Sequence, residues 1–349
     1  MTERARLIGD GIENPANARA LMDAAAMFAV PAMFRDTHSL AESWSTDLGG
    51  GHLPLVEATA LLSELLPIVA IENAPGSSSV YDASLPQGYP SIVVGNERRG
   101  IRGDVLRAAL ACVDIPMPGR AINTLNVASA AAVALFYLLA SEHRPMRQAP
   151  RPEQRRPGLL LVAPADHVEA GSVLRSAAAF GWRAVGLDDS KRVWFGVPRA
   201  ARTEGRAAAR SHRNAIRVLP MRAVGPLGFA RVVVAGVEVD GPVIHRVDLA
   251  AGRNTVLVIP DEGHERREEW RSLAPKVEFA RVALPAEDFP YRYRLVASIV
   301  LAEAARQIGR AVSAEPTRRP RPGLTYESVL SIAATAEADI VRTEDLREY

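Results

Sequence analysis

Residues 91–140 read SIVVGNERRGIRGDVLRAALACVDIPMPGRAINTLNVASAAAVALFYLLA. Ser91–Val94 is a short β-branched run closed by Gly95, the pattern of a buried parallel strand that ends in a tight loop. Asn96 and Glu97 follow at the carboxyl end of that strand, where open α/β sheets hold their ligands. Gly100 and Gly103 punctuate the loop, and Asp104 is the expected cap of a helix over Val105–Ala111. A second short strand, Val113–Pro116, leads into the polar stretch Met117–Asn126. From Val127 to Ala140 nearly every residue is apolar and small, which predicts a helix packed on most of its sides.

The flanking sequence extends this pattern. A short strand ending at Ile12 precedes GIENPANARALMDAAAMFAV (11–30), whose helix is expected to begin around Pro15–Asn17 and run to Phe28. A helix over Leu55–Leu66, a strand over Ile68–Ile71 and loops around Gly49–Gly51 and Pro75–Ser79 complete a β/α alternation, hence a mainly parallel sheet. The second half then repeats the first. PADHVEAGSVLRSAAAFGW (164–182) lies under NPANARALMDAAAMFAV, with Glu169 at the place of Asn17 and Arg175 at that of Asp23. TVLVIPDEGH (255–264) repeats SIVVGNERRG, with Asp261 against Asn96 and Glu262 against Glu97. VALPAEDFPYRYRLVAS (282–298) repeats the approach to the apolar helix, and VAS recurs at 296–298 and 127–129. The expected organisation is α/β throughout: two tandem domains over 1–142 and 159–313, a linker over 143–158, and a tail over 314–349 with a closing helix at Tyr326–Val341. The linker, HRPMRQAPRPEQRRPG, is either a solvated tether or a strip of arginines that contacts phosphate.

GNERRG (95–100), IPMPG (115–119) and TLNVAS (124–129), in this order, resemble the second and third motifs of the SpoU/TrmH branch of the SPOUT RNA methyltransferases. The resemblance implies a deep trefoil knot in the first copy and a pocket for S-adenosyl-L-methionine lined by Val94, Gly95, Asn96, Glu97, Gly100, Ile115, Pro116, Met117, Thr124, Leu125 and Asn126. It also implies methyl transfer to a ribose 2′-oxygen of tRNA or rRNA, with Glu97 and Asn126 as the polar pair beside the methyl donor. The family's first motif is an Asn followed two residues later by a small residue and six later by an Arg. Here Asn17 matches, but Arg19 and Asp23 stand in the other two places. The second half holds Gly171 and Arg175 there, and has lost the loops instead: Pro260 replaces the glycine, Arg294–Leu295 replace Leu–Asn, and Tyr291 and Tyr293 occupy the turn. Family members pair as homodimers, each site taking its arginine from the partner. The resemblance therefore implies a pseudo-dimer in one chain, a monomer whose single composite site uses Arg175, Asn126, Glu97 and Asn17 for catalysis. One residue more than the usual spacing separates Gly119 from Thr124–Asn126, which predicts a loop bulge.

Composition is compatible with this reading. The 349 residues are 48% hydrophobic and 23% charged, with a formal net charge of +2, so any nucleic-acid surface is a local patch. Lys191 and Lys276 are the only lysines; arginine carries the rest of the positive charge, and Arg19, Arg144 and Arg147 are candidate phosphate contacts. Cys112 is the only cysteine, which excludes an internal disulfide and a cysteine-based zinc cluster, and Asp166, His167, Glu169 and His264 lack metal-site spacing, so no metal is expected. No apolar run has signal-peptide or membrane-spanning length, and the cytoplasm is the expected compartment. Asn14 and Asn17 read either as helix caps or as substrate contacts, and Trp182 and Trp194 either as core or as base-stacking platforms. Two other functions stay open: a non-catalytic RNA-binding assembly protein of the same fold, and a methyltransferase acting on a non-RNA small molecule.

Overall fold

The computed structural model describes residues 4–35, 55–56, 61–117, 125–139, 156–195, 216–221, 228–249, 254–261, 267–286 and 291–309. The chain divides into two units, Met1–Ser313 and Ala314–Tyr349, and all described residues belong to the first.

Its first half contains β1 (Arg6–Asp10), α1 (Pro15–Met27), β2 (Ala32–Arg35), β3 (Leu55–Val56), α2 (Leu61–Glu64), β4 (Ile68–Ile71), β5 (Ser78–Ser79), β6 (Ser91–Val94), α3 (Gly103–Ala108), β7 (Ala111–Asp114) and α4 (Val127–Leu138). The second half contains β8 (Gly158–Val162), α5 (His167–Ala179), β9 (Ala184–Asp188), β10 (Arg217–Pro220), β11 (Arg231–Gly236), a 3-10 turn at Ile244–Arg246, β12 (Thr255–Pro260), α6 (Arg267–Arg271), β13 (Lys276–Arg281) and α7 (Tyr293–Ile308). The strands form a seven-stranded sheet, β3-β2-β1-β6-β4-β7-β5, and a six-stranded sheet, β10-β9-β8-β12-β11-β13. Both sheets are parallel, and their central strands β6 and β12 are buried along their whole length, as unbroken β-branched runs require. The two orders are the same, apart from β5 at one edge of the first sheet. The spacing agrees as well: β1, α1 and β2 begin at 6, 15 and 32, and β8, α5 and β9 at 158, 167 and 184, a constant 152 apart.

Four helices join the halves. α4 packs on both α1 and α7, and α7 also packs on α5. All of α4 except Ala130 is buried, because its small residues let it sit between its own sheet and the facing helix. One apolar cluster runs without interruption from Leu7 and Ile92 through α4 and α7 to Leu161 and Leu257, so the halves share a core. The junction also carries buried polar contacts: the Tyr137 hydroxyl donates to Glu303 Oε2 at 2.7 Å, and the Tyr81 hydroxyl to the Ala302 carbonyl at 3.3 Å.

Several local expectations change. Leu55–Val56 is not the start of a helix but an edge strand paired with Phe34–Arg35, and the helix in that stretch is confined to Leu61–Glu64. Ser78–Ser79, read as loop, adds a last strand beside Val113–Asp114. The helix after the glycine loop ends at Ala108 and β7 begins at Ala111, since Val69–Ile71 pair with Ala111–Val113. Asp104 is not its cap but sits in its first turn, drawn to Arg35 at 2.7 Å. Tyr293 is not in a turn: it is the first residue of α7. The threading of a knot depends in part on residues 118–124, which lie outside the described residues, as do Gly49–Gly51, most of the linker and the tail helix. Among the described residues no helix is long and apolar enough to cross a membrane.

Candidate functional site

The loop after β6 is built to push one carboxylate outward. A side chain on Gly95 would overlap the Gly100 carbonyl carbon and the Ile101 nitrogen, so only glycine permits the turn. The turn is closed by Asn96 N–H on the Gly100 carbonyl at 3.1 Å and by the reverse bond at 2.8 Å. Asn96 itself is buried. Its Nδ2 donates to the Gly11 carbonyl at 2.7 Å, and its Oδ1 accepts from Arg98 and Arg99 nitrogens at 2.9 and 3.0 Å. With Asn96 turned inward as a brace, the next residue, Glu97, is exposed. Gly100 takes a φ of +73° and lies against the Glu72 carboxylate, whose Oε2 accepts from Ile101 N–H at 3.1 Å.

Beneath the loop lies a charged network. Buried Arg35 reaches Asp10 at 3.3 Å and Asp104 at 2.7 Å, and Asp10 also accepts from Arg102 N–H at 3.1 Å. Burial pushes the Asp10 carboxyl up, while the Arg35 guanidinium holds Asp104 below the usual carboxylate range. Sequence reasoning missed Glu72, Asp10 and Arg35. Their signal was position alone, at or just past the carboxyl ends of β4, β1 and β2.

Glu97 is tied to two asparagines by a directional relay. Asn126 caps α4, its Oδ1 accepting from Ala128 N–H at 3.0 Å. That bond fixes the amide, so its Nδ2 donates to Asn17 Oδ1 at 2.9 Å. Asn17 is fixed in turn, and its Nδ2 donates to Glu97 Oε1 at 2.5 Å. Asn14, not Asn17, caps α1. Arg175 then arrives from the second half: its Nη2 donates to the Leu125 carbonyl at 3.0 Å, one residue before Asn126. Burial brings its guanidinium down to about 10, and the negative charge of Glu97 works the other way. Asn17, Glu97, Asn126 and Arg175, far apart in sequence, thus meet at the seam between the halves.

The remaining candidates fall around this centre or outside it. Val94, Ile115, Pro116 and Leu125 are buried and Met117 is half-buried, so an apolar backbone segment stands beside the polar cluster. Arg19 is exposed on α1. Thr124, Arg144 and Arg147 lie outside the described residues. Trp182 and Trp194 are buried in the core, and the Trp182 ring nitrogen donates to the Pro157 carbonyl at 2.9 Å. Asp166 caps α5 through bonds from Val168 and Glu169 nitrogens at 2.7 and 2.8 Å. Among the described residues no group of three or more His, Cys, Asp or Glu is placed to hold a metal ion.

Residues 4–136 match the model of the SpoU rRNA Methylase family. No curated protein matches the chain. Among solved structures, a putative RNA methyltransferase of the TrmH family from Porphyromonas gingivalis is 21% identical over 39% of this chain and 59% of its own, at a TM-score of 0.32. A structure bearing on the 2-OH methylation of C/U34 on tRNA is 27% identical over 38% of this chain and 91% of its own, at 0.31. An AdoMet-bound rRNA methyltransferase from Sinorhizobium meliloti is 21% identical over 39% of this chain and 55% of its own, at 0.33. The chain therefore spans little more than half the length of the P. gingivalis and S. meliloti proteins. The family match covers β1 through most of α4, the span that supplies the glycine loop, both asparagines and Glu97.

Proposed function

We propose that this protein is an S-adenosyl-L-methionine-dependent RNA methyltransferase that modifies a ribose 2′-oxygen of tRNA or rRNA. In this reading the chain is a duplicated pseudo-dimer that works as a monomer, with a knotted half over 1–142, a linker over 143–158, a degenerate half over 159–313 and a tail over 314–349. Its one site is composite. The observation that carries the proposal is the reach of Arg175 from the second half to the Leu125 carbonyl and the Glu97 charge of the first.

The residues present suit the cofactor. Ile115, Pro116 and Leu125 offer an apolar wall for a planar base, and Glu97 and the Asn126 amide offer a polar end for an amino acid bearing a sulfonium. When bound, S-adenosyl-L-methionine supplies a methyl group that needs no further activation. The protein's task is then positioning, which accounts for a relay that locks both amides and Glu97 in advance. Arg175 remains protonated near neutral pH. Its cation, half-encased in protein, would hold a neighbouring phosphate and stabilise the charge that develops on the 2′-oxygen. Arg19, Arg144 and Arg147 are proposed to hold more distant phosphates.

The test is methyl transfer from labelled cofactor to total tRNA and rRNA, followed by nucleoside mapping. A 2′-O-methylated nucleoside is the expected product. Label on a base, or on a small molecule only, would refute the ribose assignment, and failure to bind cofactor at high micromolar concentration would refute the enzyme.

A further inference from the structure

The second half contains a replica of the site just described, and its contents are informative. Strand register fixes the correspondence. Arg6 and Leu7 pair with Ser91 and Ile92, and Gly158 and Leu159 with Val256 and Leu257, so Ile259, Pro260 and Asp261 stand where Val94, Gly95 and Asn96 stand in the first half. The repeated VAS places Tyr293, Arg294 and Leu295 at Thr124, Leu125 and Asn126. In the first half Leu125 and Asn126 precede the helix, which Asn126 caps. In the second, α7 already begins at Tyr293 and runs through the same place as helix. The Tyr293 ring is buried, and its hydroxyl donates at 2.9 Å to the Ile259 carbonyl, the strand end that corresponds to Val94. An aromatic side chain is thus packed against the end of β12.

Ion pairs lie near it. Glu169, the counterpart of Asn17, accepts from Arg294 N–H at 2.8 Å and faces the Arg294 guanidinium at 3.3 Å. Asp23, the counterpart of Arg175, meets Arg292 at 2.8 Å. Asp261, the counterpart of Asn96, meets Lys191 at 3.3 Å. The charges at the two ends of the seam are therefore reversed: α5 sends a cation to the first crevice, and α1 sends an anion to the second. Both replica pairs terminate on the start of α7. Asp23–Arg292 ties α1 to it, and Glu169–Arg294 ties α5, the helix that carries Arg175.

We propose that the second crevice binds no cofactor and works as an ionic clamp, in which Asp23–Arg292 and Glu169–Arg294 hold α1 and α5 on α7 so that Arg175 stays over the first crevice. The stoichiometric part of this inference rests on the function proposed above. The clamp residues are positioning residues, since none of them touches the first crevice.

Equilibrium titration of the full chain with S-adenosyl-L-methionine should give one equivalent bound per chain, and two equivalents would overturn the proposal. Arg292→Ala should lower turnover on total tRNA and rRNA on the order of tenfold, through a small displacement of Arg175, with cofactor affinity kept within about twofold. The exchanged pair, Asp23→Arg with Arg292→Asp, should recover turnover and the midpoint of thermal unfolding together. An exchanged pair with a normal midpoint but unrecovered turnover, or an Arg292→Ala protein that loses affinity and turnover alike, would overturn the clamp. If no cofactor binds at all, the proposed function falls, and the clamp is decided by the thermal midpoints alone: the single variants lower than wild type and the exchange restored, or, against it, all equal.

Discussion

Arg175 lies 50 residues from the carbonyl it binds and in a different half of the chain, so its charge state decides what chemistry the seam can do. Burial lowers it to about 10. Below that pH the cation predominates, and a role that needs the cation gives turnover that is level from neutrality to about pH 9 and falls as pH rises through 10. A role as base gives the opposite sign, a rise toward 10. We expect the level profile, measured as kcat against pH, and an Arg175→Ala loss of about a hundredfold to a thousandfold with cofactor affinity retained. Asn126 needs a subtler variant, because alanine removes both the cap and the relay. Asn126→Ser keeps an oxygen for the Ala128 N–H and removes the donor to Asn17, so activity should fall while the thermal midpoint stays within the spread of capping residues, a few tenths of a kcal/mol. Equal losses in both measurements would mean that the amide matters only as a cap. In the sequence, Asn17, Glu97 and Asn126 stand out as candidates because they resemble a family's motifs in order and spacing, and Arg175 because it falls in the repeat at the place of Asp23. Glu72, Asp10 and Arg35 do not, because a lone charged residue at a strand end looks the same whether it braces a loop or faces water.

The elements that carry the site were legible in proportion to how local their causes are. α1 and α4 follow from their caps and apolar faces, and β6 from an unbroken β-branched run. The edge strand at Leu55–Val56 was not legible, since only pairing with Phe34 and Arg35 makes it a strand. At this scale the glycine loop is the most sensitive element. Gly95→Ala should distort the Asn96–Gly100 turn and displace Glu97, abolishing cofactor binding, with circular dichroism reporting an otherwise retained fold. Helix α4 offers the reverse case. Ser298 in α7 donates to the Arg294 carbonyl at 2.7 Å and bonds Ser176, whereas its counterpart Ser129 is buried with no partner for its hydroxyl. The carbonyl that Ser129 would use by analogy belongs to Leu125, which Arg175 occupies. Ser129→Ala should therefore leave stability unchanged or raise it by about 1 kcal/mol, while Ser298→Ala should lower it by about as much, in paired denaturant titrations.

At the scale of the molecule, the repeat in the sequence foretold two similar sheets but not how firmly they are joined. A shared apolar cluster and a buried polar group join the halves at the seam. Glu303 is fully buried on α7, where it accepts from Tyr137 of α4 at 2.7 Å, from Gln307 at 2.9 Å and from Arg306 at 2.6 and 2.8 Å. The Tyr137 ring in turn meets Tyr81 edge to face at 4.8 Å. Burial together with the Glu303 charge pushes the Tyr137 hydroxyl well above its ordinary value, so it acts here purely as a donor. Nothing in the pattern of single residues announced this cluster, because its members fall in three separate stretches of the chain and each reads as an ordinary helix or loop position. Glu303→Ala removes the acceptor of the buried Tyr137 hydroxyl and the ion pair to Arg306, at a cost of about 3 kcal/mol. Because the loss falls on the contact between α4 and α7, it should also separate the unfolding of the two sheets. Wild-type protein should unfold in urea in one step with coincident fluorescence and circular dichroism, and the Glu303→Ala protein in two, whereas a single unshifted transition in the variant would mean that the apolar contact alone joins the halves.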